Sequence, residues 1–236
     1  SSLEYLKRIG AKSTGVDIKW TVEKGRAEEV IIEKAASHRG TVITMATHGR
    51  SGLNRWLMGS VSEKVLRGTA NPLLLIRATE EAKPEGAVAF KTVIVPLDGS
   101  ELAESVIPTV VDLARELDLA VLLFRAYHIP YNVYSAEAGY YAVDYDALMS
   151  GVRDEANEYL EKKVAEVKQL GVTKVTCASK EGIASDEIIA LGRTTPGELI
   201  AMCSHGRSGI KRFVLGSVTE TVVRHSGEPV LVTRAG

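Results

Sequence analysis

Two glycine-serine runs are the residues of this sequence best suited to chemistry. Each run has the spacing Gly-x2-Gly-x6-Gly-Ser, follows an apolar segment and precedes a predicted helix. The glycines and serines are Gly49, Gly52, Gly59 and Ser60 in the first run, and Gly206, Gly209, Gly216 and Ser217 in the second. Backbone N–H groups at a helix start attract anions, and glycine permits close approach. The pattern therefore predicts phosphate binding, with nucleotide phosphate favoured for the second run.

Both runs belong to a segment that occurs twice in the chain. Residues 25–77 and 182–234 align without a gap at an offset of 157, with 22 identities in 53 positions. Ser60 and Ser217 are each followed three residues later by a glutamate, which fits a capping box. Helix capping alone would explain the serines, but it leaves the repeated upstream glycines without a reason.

Further candidate residues stand at the ends of predicted strands. Asp98 ends one strand, Ala126 ends the next along the chain, and residues 202–206 follow a third. In open α/β sheets a ligand crevice lies beyond the carboxyl ends of the strands, so these positions should converge. Asp98 before Gly99 is also typical of a simple turn.

The polar residues inside the glycine runs allow two interpretations. His48 and His205 either bond a phosphate or brace their loops, and bracing is slightly favoured. Arg50 and Arg207 would lie beside the phosphate. Cys203, at a strand end, fits a buried inert thiol better than a reactive one.

Composition narrows the class of protein. The net charge of −1 gives no electrostatic case for nucleic acid or an anionic membrane. No apolar run is long enough to span a bilayer, and two cysteines favour a reduced cytoplasm over a disulfide framework. The sequence shows no catalytic constellation, no P-loop and no metal-ligand spacing. We therefore expect a cytoplasmic binding protein.

The second half of the chain reads as a complete alternating α/β unit. The predicted strands are 93–96, 120–126, 174–178, 198–202 and 230–234, and the predicted helices are 101–117, 154–170, 184–193 and 217–224. Continuous apolar strands between helices indicate a doubly wound parallel sheet with helices on both faces. Ser100 should cap the first helix and Pro108 should kink it. Residues 127–151 should be irregular; their clustered tyrosines suit a lid, an interface or packing on the sheet edge.

The first half supplies only the later elements of such a unit. The predicted helices are 3–9, 27–38 and one from residue 60, and the predicted strands are 16–22, 41–45 and 73–76. Nothing here corresponds to residues 93–126. We therefore expect a partial first domain at 1–78, a linker at 79–90 and a complete second domain at 91–236.

The pattern Met202-x3-Gly206-x9-Gly216-Ser217, with the strand leading to Asp98, resembles the universal stress protein family. The resemblance covers residues 91–235 and, as a fragment, 1–78, as in tandem members. It implies a five-stranded parallel sheet of order 3-2-1-4-5 in each domain. It also implies ATP, often with a divalent cation such as Mg²⁺ or Mn²⁺. Some members bind AMP or cyclic AMP instead, and some bind no nucleotide.

The resemblance also assigns site residues. The adenine end matches Pro96, Leu97 and Asp98, and the ribose side matches Ala126. The remaining positions of the second domain are Met202, Cys203, His205, Gly206, Arg207, Gly209, Gly216, Ser217, Val218 and Thr219. Their counterparts in the first domain are Ala46, Gly49, Arg50, Gly52, Gly59, Ser60, Val61 and Ser62. The chain departs from the family motif at its first glycine, where Cys203 and Ala46 stand.

Three functions are compatible with these residues. A nucleotide-binding regulatory protein is favoured, since no residue is an evident base or nucleophile for a slow ATPase or an adenylyl-transferring enzyme. A nucleotide-free interaction scaffold is the third. Pairing of the two domains through strands 73–76 and 230–233 is expected, as is a homodimer.

The strand order has a consequence for the first domain. In the order 3-2-1-4-5, a strand at 16–22 cannot neighbour one at 41–45, since strands one and two lie between them. We therefore expect either upstream residues beyond this sequence or another chain to fill that gap.

Overall fold

The structure is a computed structural model that describes residues 1–11, 15–38, 40–47, 58–77, 89–128, 145–195, 197–204 and 215–234. The strands are β1 (Ile43–Ala46), β2 (Leu73–Ile76), β3 (Thr92–Pro96), β4 (Ala120–Tyr127), β5 (Val175–Glu181), β6 (Glu198–Cys203) and β7 (Val230–Thr233). The helices are α1 (Ser2–Gly10), α2 (Ala27–Ala36), α3 (Ser60–Gly68), α4 (Glu101–Glu104), α5 (Ile107–Leu117), α6 (Tyr145–Gln169), α7 (Ala184–Thr194) and α8 (Ser217–His225). None of the helices in these ranges is long and apolar enough to cross a membrane.

All described strands belong to one sheet of order β1-β2-β7-β6-β3-β4-β5. The five strands of the second half follow the order 3-2-1-4-5 when counted along the chain, and they pair in parallel. The α/β class with a parallel sheet is confirmed. The tandem of two five-stranded sheets is not observed in the described residues, because the first half adds only β1 and β2 to the same sheet.

The two halves join through their last strands, as expected from the sequence. β2 runs antiparallel to β7, with Leu74 opposite Leu231. This pairing satisfies backbone groups that would otherwise line two open sheet edges. The predicted linker at 79–90 lies outside the described part except for residues 89 and 90, so the domain boundaries stay a prediction. A homodimer stays a prediction as well.

The core lies on both faces of the sheet, which explains the continuously apolar strands. Val93 and Val95 point to the face covered by α5 and α6, whereas Ile94 points to the face covered by α7 and α8. All three side chains are fully buried. Period-two alternation with both faces apolar is what a strand in the middle of a doubly wound sheet requires.

The predicted strand at 16–22 is wrong, because residues 17–24 form no strand. Residues 18–24 precede α2 as β5 precedes α7. In the second half β5 pairs with β4, and the described first half has no counterpart of β4. A sequence with strand character stays unpaired when its neighbour is missing.

Two predictions about the second half also need correction. The helix expected at 101–117 is two helices, and Pro108 lies in the first turn of α5, where its missing N–H leaves no bond unmade. Pro108 therefore starts a helix instead of kinking one. The segment expected to be irregular is helical from Tyr145 onward, because α6 begins there; residues 129–144 lie outside the described part. Ser100 caps α4, as expected.

Glu198 is an ionisable side chain at the start of β6 that the sequence did not single out. It is 4% exposed, and its Oε2 has no hydrogen-bond partner within the described structure. Burial, with the negative charge of Glu228 adding to it, raises the pKa of the Glu198 carboxyl to about 7. Between its ordinary value of 4.5 and that raised pKa, the folded protein holds a proton that the unfolded chain releases.

This carboxyl should make stability fall as pH rises. The contribution of this carboxyl to the free energy of unfolding is fully present below pH 4.5 and is lost as pH rises through about 7. Glu198→Gln, which cannot ionise, should therefore gain up to about 3 kcal/mol over the native chain between pH 5 and pH 8. Urea unfolding at several pH values measures the difference. Glu116→Gln, at an exposed site on α5, is the control; a pH-independent difference for Glu198→Gln would contradict this account.

Candidate functional site

A pocket of about 280 Å³ opens at the carboxyl ends of β3, β4 and β6. The starts of α7 and α8 close its other side. Its lining residues are Pro96, Leu97, Asp98, Ala103, Phe124, Ala126, Ala184, Met202, Cys203, Gly216, Ser217, Val218 and Thr219. Parallel strands place their carboxyl ends at one edge, so residues far apart in sequence meet there.

Asp98 is held at the pocket by a local turn. Its Oδ1 accepts hydrogen bonds from the backbone N–H of Ser100 at 2.9 Å and from the Ser100 hydroxyl at 2.6 Å. Ser100 Oγ in turn accepts from the N–H of Ala103 at 3.1 Å and caps α4. Asp98 is therefore a turn residue and a pocket residue at once, and the two interpretations left open by the sequence are compatible.

A polar cluster on the opposite face of the sheet anchors α4 behind the pocket. Glu104 accepts from the Tyr159 hydroxyl and from Lys163 Nζ, both at 2.8 Å. Burial and this hydrogen bond to Glu104 raise the pKa of the Tyr159 hydroxyl above its ordinary value. The Arg125 guanidinium lies over the Tyr159 ring at 5.0 Å. The cluster ties α4, β4 and α6 together, and so fixes the loop that carries Asp98.

The capping-box prediction is wrong in both halves. Gly216 and Gly59 are the N-cap residues, and neither helix start has a side-chain cap. The cause is that each glycine already bonds to the preceding strand end: Gly216 N–H donates to Ser204 O at 2.7 Å. Its extended backbone then turns directly into α8. Ser217 becomes the first helical residue, whose N–H has no acceptor within the helix.

A buried hydrogen bond fixes the start of α8 against the end of β6. Thr219 is 4% exposed, and its hydroxyl donates to the carbonyl of Cys203 at 2.9 Å. The first half repeats this contact, since the Ser62 hydroxyl donates to the carbonyl of Ala46 at 2.9 Å. The two halves therefore share this hydrogen bond between helix start and strand end, in addition to their similar sequences.

Cys203 is buried, as its sequence position suggested, with 5% of its surface exposed. The hydroxyl of Ser105 lies 3.3 Å from its Sγ. Cys177, on β5, is the second free thiol, and burial raises its pKa. The described residues contain no group of three or more metal-ligating side chains.

The structure brings together most of the second-domain residues that the sequence assigned to a site. Ten of them line the pocket: Pro96, Leu97, Asp98, Ala126, Met202, Cys203, Gly216, Ser217, Val218 and Thr219. His205, Gly206, Arg207 and Gly209 lie outside the described residues.

The first-domain residues are divided in the same way. His48, Gly49, Arg50 and Gly52 also lie outside the described part. Ala46, Gly59, Ser60, Val61 and Ser62 sit around β1 and α3, away from this pocket.

Three lining residues were missed by the sequence analysis. Phe124 could have been found, because it stands two residues before Ala126 and therefore shares its face of β4. No sequence feature at Ala103 or Ala184 indicated that either residue would line a ligand pocket. They enter through tertiary packing, as the starts of α4 and α7 come to the same sheet edge.

Chemically, the pocket has an apolar part and an anion-attracting part. Phe124, Ala126 and Met202 give an apolar wall suited to a flat ring. At the other side, the first turn of α8 presents backbone N–H groups and the positive end of a helix dipole. The carboxylate of Asp98 stands at the β3 side.

The fold and the pocket define an open α/β protein with a ligand crevice at the carboxyl edge of its sheet. Comparison with protein families is more specific. The model of the universal stress protein family matches residues 2–77 and 89–234. The chain belongs to that family.

Individual relatives agree with this assignment. Universal stress protein MJ0531 of Methanocaldococcus jannaschii is 27% identical over 150 residues, covering 63% of this chain and 85% of the relative. Universal stress protein Mb2028c of Mycobacterium bovis is 25% identical over 202 residues, or 84% of this chain. The match spans 63% of the length of that relative. The solved structure of MJ0577, also from Methanocaldococcus jannaschii, is 29% identical with a TM-score of 0.54, covering 63% of this chain and 99% of its own.

The buried bond at the start of α8 should contribute measurably to stability. Thr219→Val keeps the shape of the side chain but leaves the Cys203 carbonyl without its donor. We expect a loss of about 1–2 kcal/mol in the free energy of unfolding. Thr221→Val, which removes an exposed hydroxyl bonded to Ser217 O, is the matched control and should cost less than about 0.5 kcal/mol. If urea unfolding shows the same loss of stability for both variants, the buried hydrogen bond contributes no more than the exposed one.

Proposed function

We propose that the chain binds an adenine nucleotide, ATP foremost, in the pocket at the carboxyl edge of its second half, and acts as a regulatory protein of the stress response. The observation that carries the proposal is the union of an apolar wall and a helix N-terminus in one pocket. A nucleotide needs both, because its base is flat and apolar while its phosphates are anionic. Membership in the universal stress protein family supports the same ligand class.

The residues fit the two ends of a nucleotide. Pro96 and Phe124 would contact the base, with Asp98 near its polar edge. The backbone from Gly216 to Thr219 would bind the phosphates. Ala126, without a side chain beyond Cβ, leaves room for the ribose. His205, Gly206, Arg207 and Gly209, from the resemblance, remain part of the proposed phosphate site.

The departure from the family motif at Cys203 is compatible with this proposal. The Cys203 side chain is 95% buried, since only 5% of it is exposed, and its sulfur lies against Ser105. It therefore takes little of the pocket surface. AMP and cyclic AMP would use the same base and ribose contacts with fewer phosphate contacts.

A divalent cation, Mg²⁺ or Mn²⁺, would reach the site with the phosphates. The described residues provide no cluster of acidic, histidine or cysteine side chains to hold one independently. A triphosphate supplies the oxygen ligands that Mg²⁺ prefers. When bound, such a cation would neutralise phosphate charge, while the chain itself supplies the N–H groups at the start of α8.

We favour binding over turnover because of the chemistry of the lining residues. Asp98 is the carboxylate among them, and its Oδ1 is already bonded to Ser100. A general base needs a lone pair directed at the attacking group. Regulation would follow from a change in loop or interface populations on binding.

Mass spectrometry of the denatured, purified protein tests the proposal most directly. Co-purified ATP, or another adenine nucleotide, at up to one equivalent per chain is the expected result. Titration of nucleotide-free protein with ATP, AMP and cyclic AMP then ranks the ligands. The absence of both co-purified nucleotide and saturable binding would contradict the proposal.

Gly216 and Gly59 provide a matched pair of variants. Gly216 has φ −60° and ψ 144°, a conformation open to any residue, so Gly216→Val should fold normally. Its side chain would stand against the phosphates, and we expect at least a tenfold loss of affinity for ATP, about 1.4 kcal/mol or more. Gly59→Val makes the same change at the same φ and ψ, away from the pocket, and should leave affinity unchanged. Calorimetric titration with ATP measures the affinity of both variants. Equal affinities would show that Gly216 does not contact the phosphates.

A further inference from the structure

Two acidic side chains meet at the amino edge of the sheet, opposite the pocket. Glu198 begins β6, and Glu228 stands shortly before β7. A Cβ atom built on Gly192, in the last turn of α7, would lie 3.8 Å from Glu198 Oε1 and 3.7 Å from Glu228 Cγ. Both acidic side chains therefore reach the same place beneath the end of α7, which we call the amino-edge site.

The Glu198 carboxylate is the buried member of this pair. Only 4% of the residue is exposed, and its Oε2 has no hydrogen-bond partner within the described structure. Glu228 is half-buried. A buried polar atom destabilises the fold unless another group bonds to it, so the orphaned oxygen points to a partner of positive charge or to a donor.

Two basic residues stand near this edge, but neither neutralises the carboxylates. Lys91, just before β3, is exposed and forms no ion pair with a described residue. Arg193, next to Gly192, donates through Nη2 to the carbonyl of His225 at 3.4 Å instead. Among the described residues, the two carboxylates therefore face each other without a paired cation.

The internal repeat places the same backbone at the equivalent position of the first half. At the offset of 157, the three residues of the site align with Ala35, Thr41 and Asn71. Ile43 N–H donates to Pro72 O at 2.9 Å. The aligned Ile200 N–H donates to Pro229 O at 3.0 Å. The starts of β1 and β6 therefore meet the segments before β2 and β7 in the same way.

A side-chain donor fills this place in the first half. Asn71 Nδ2 donates to the carbonyl of Ala35 at 3.4 Å and to the carbonyl of Thr41 at 3.3 Å. In the second half the repeat places the two aligned carbonyls at the same positions, but the side chain between them is that of Glu228. An ionised carboxylate only accepts hydrogen bonds. The amino-edge site therefore combines acceptors from three segments.

The end of α7 adds to this excess of acceptors. Thr195 N–H donates to Gly192 O at 3.3 Å, and His38 N–H donates to Ala35 O at 3.3 Å, so α7 and α2 end alike. Each carbonyl oxygen keeps a second lone pair, and the carbonyls at a helix C-terminus carry the negative end of the helix dipole. A positive charge is therefore favoured beside Gly192.

We propose that the amino-edge site binds one hard divalent cation of the calcium class. Its ligands would be the carboxylates of Glu198 and Glu228 and the carbonyl oxygens of Gly192 and Glu198, completed by water on the half-buried side of Glu228. The cation would occupy the position that the Asn71 amide nitrogen holds in the first half. Calcium accepts mixed sets of carboxylate, carbonyl and water oxygens in flexible geometry, whereas magnesium requires a near-octahedral set.

Main-chain carbonyls are essential to this site, because the described residues contain no group of three or more metal-ligating side chains. A bound cation would join the end of α7, the start of β6 and the segment before β7. Since β7 pairs with β2, it would also stabilise the strand that connects the two halves. The site lies at the edge opposite the pocket, so it does not depend on a nucleotide.

Calcium titration of nucleotide-free protein tests the site. The protein is first treated with EDTA and then titrated calorimetrically with CaCl2 at pH 8, where protons compete little with the cation. We expect one saturable equivalent per chain. The Tm should rise by about 5 °C or more when Ca²⁺ exceeds its Kd by about a hundredfold. The absence of saturable binding would overturn the proposal.

Glu228→Asn gives the second half the side chain that Asn71 supplies in the first. Its amide should bond to the two carbonyls, so the Tm in EDTA should be no lower than that of the native chain, while Ca²⁺ binding weakens at least about tenfold. Glu198→Gln, which keeps the shape of the side chain, should weaken Ca²⁺ binding to a similar extent. Glu116→Asn, at an exposed site on α5, is the control and should respond like the native chain.

Unchanged calcium affinity in both Glu228→Asn and Glu198→Gln would overturn the proposal, because the ions would then bind elsewhere on the surface. Titration of Glu228→Asn with ATP is read separately. Since the pocket lies at the other edge of the sheet, this variant should bind ATP as the native chain does. A failure of nucleotide binding in the native chain would count against the proposed function alone.

Discussion

The pairing of β3 with both β4 and β6 is the interaction on which the rest of the structure depends. β3 lies in the middle of the second half, and its three central side chains are fully buried on the two faces. Because its neighbours run parallel to it, their carboxyl ends meet at one edge. The pocket, the Asp98 turn and the start of α8 all exist at that edge for this reason.

The antiparallel pair of β2 and β7 has a different role. It joins two parallel sets into one sheet, so that apolar residues such as Leu75 and Val232 share a core across the join. Antiparallel pairing allows two copies of the same strand to meet edge to edge with equivalent surroundings. The duplicated sequence thus provides its own partner, and neither last strand remains an open edge.

The helix starts at Gly59 and Gly216 have the same local structure in different surroundings. Gly59 and Gly216 take the same backbone conformation, and Ser62 and Thr219 make the same bond to a strand end. Of these two helix starts, only the one at Gly216 faces β3 and β4, and therefore only it borders the described pocket. A helix N-terminus becomes a binding site when other elements enclose it, since enclosure excludes water and strengthens each contact.

The sequence by itself determined the α/β class, most strand positions and the convergence of Asp98, Ala126 and Met202, because these follow from apolar periodicity and strand–helix alternation. The pairing of the last strands was expected from the family resemblance and from the open edges of those strands. Only the tertiary structure decided the N-cap. The bond from Gly216 to Ser204 displaced Ser217 from that role. Likewise, residues 18–24 have strand-like sequence but no strand, and Glu198 is buried with no partner for its Oε2 within the described structure. Pairing, burial and charge environment depend on neighbours distant in sequence, so local pattern cannot specify them.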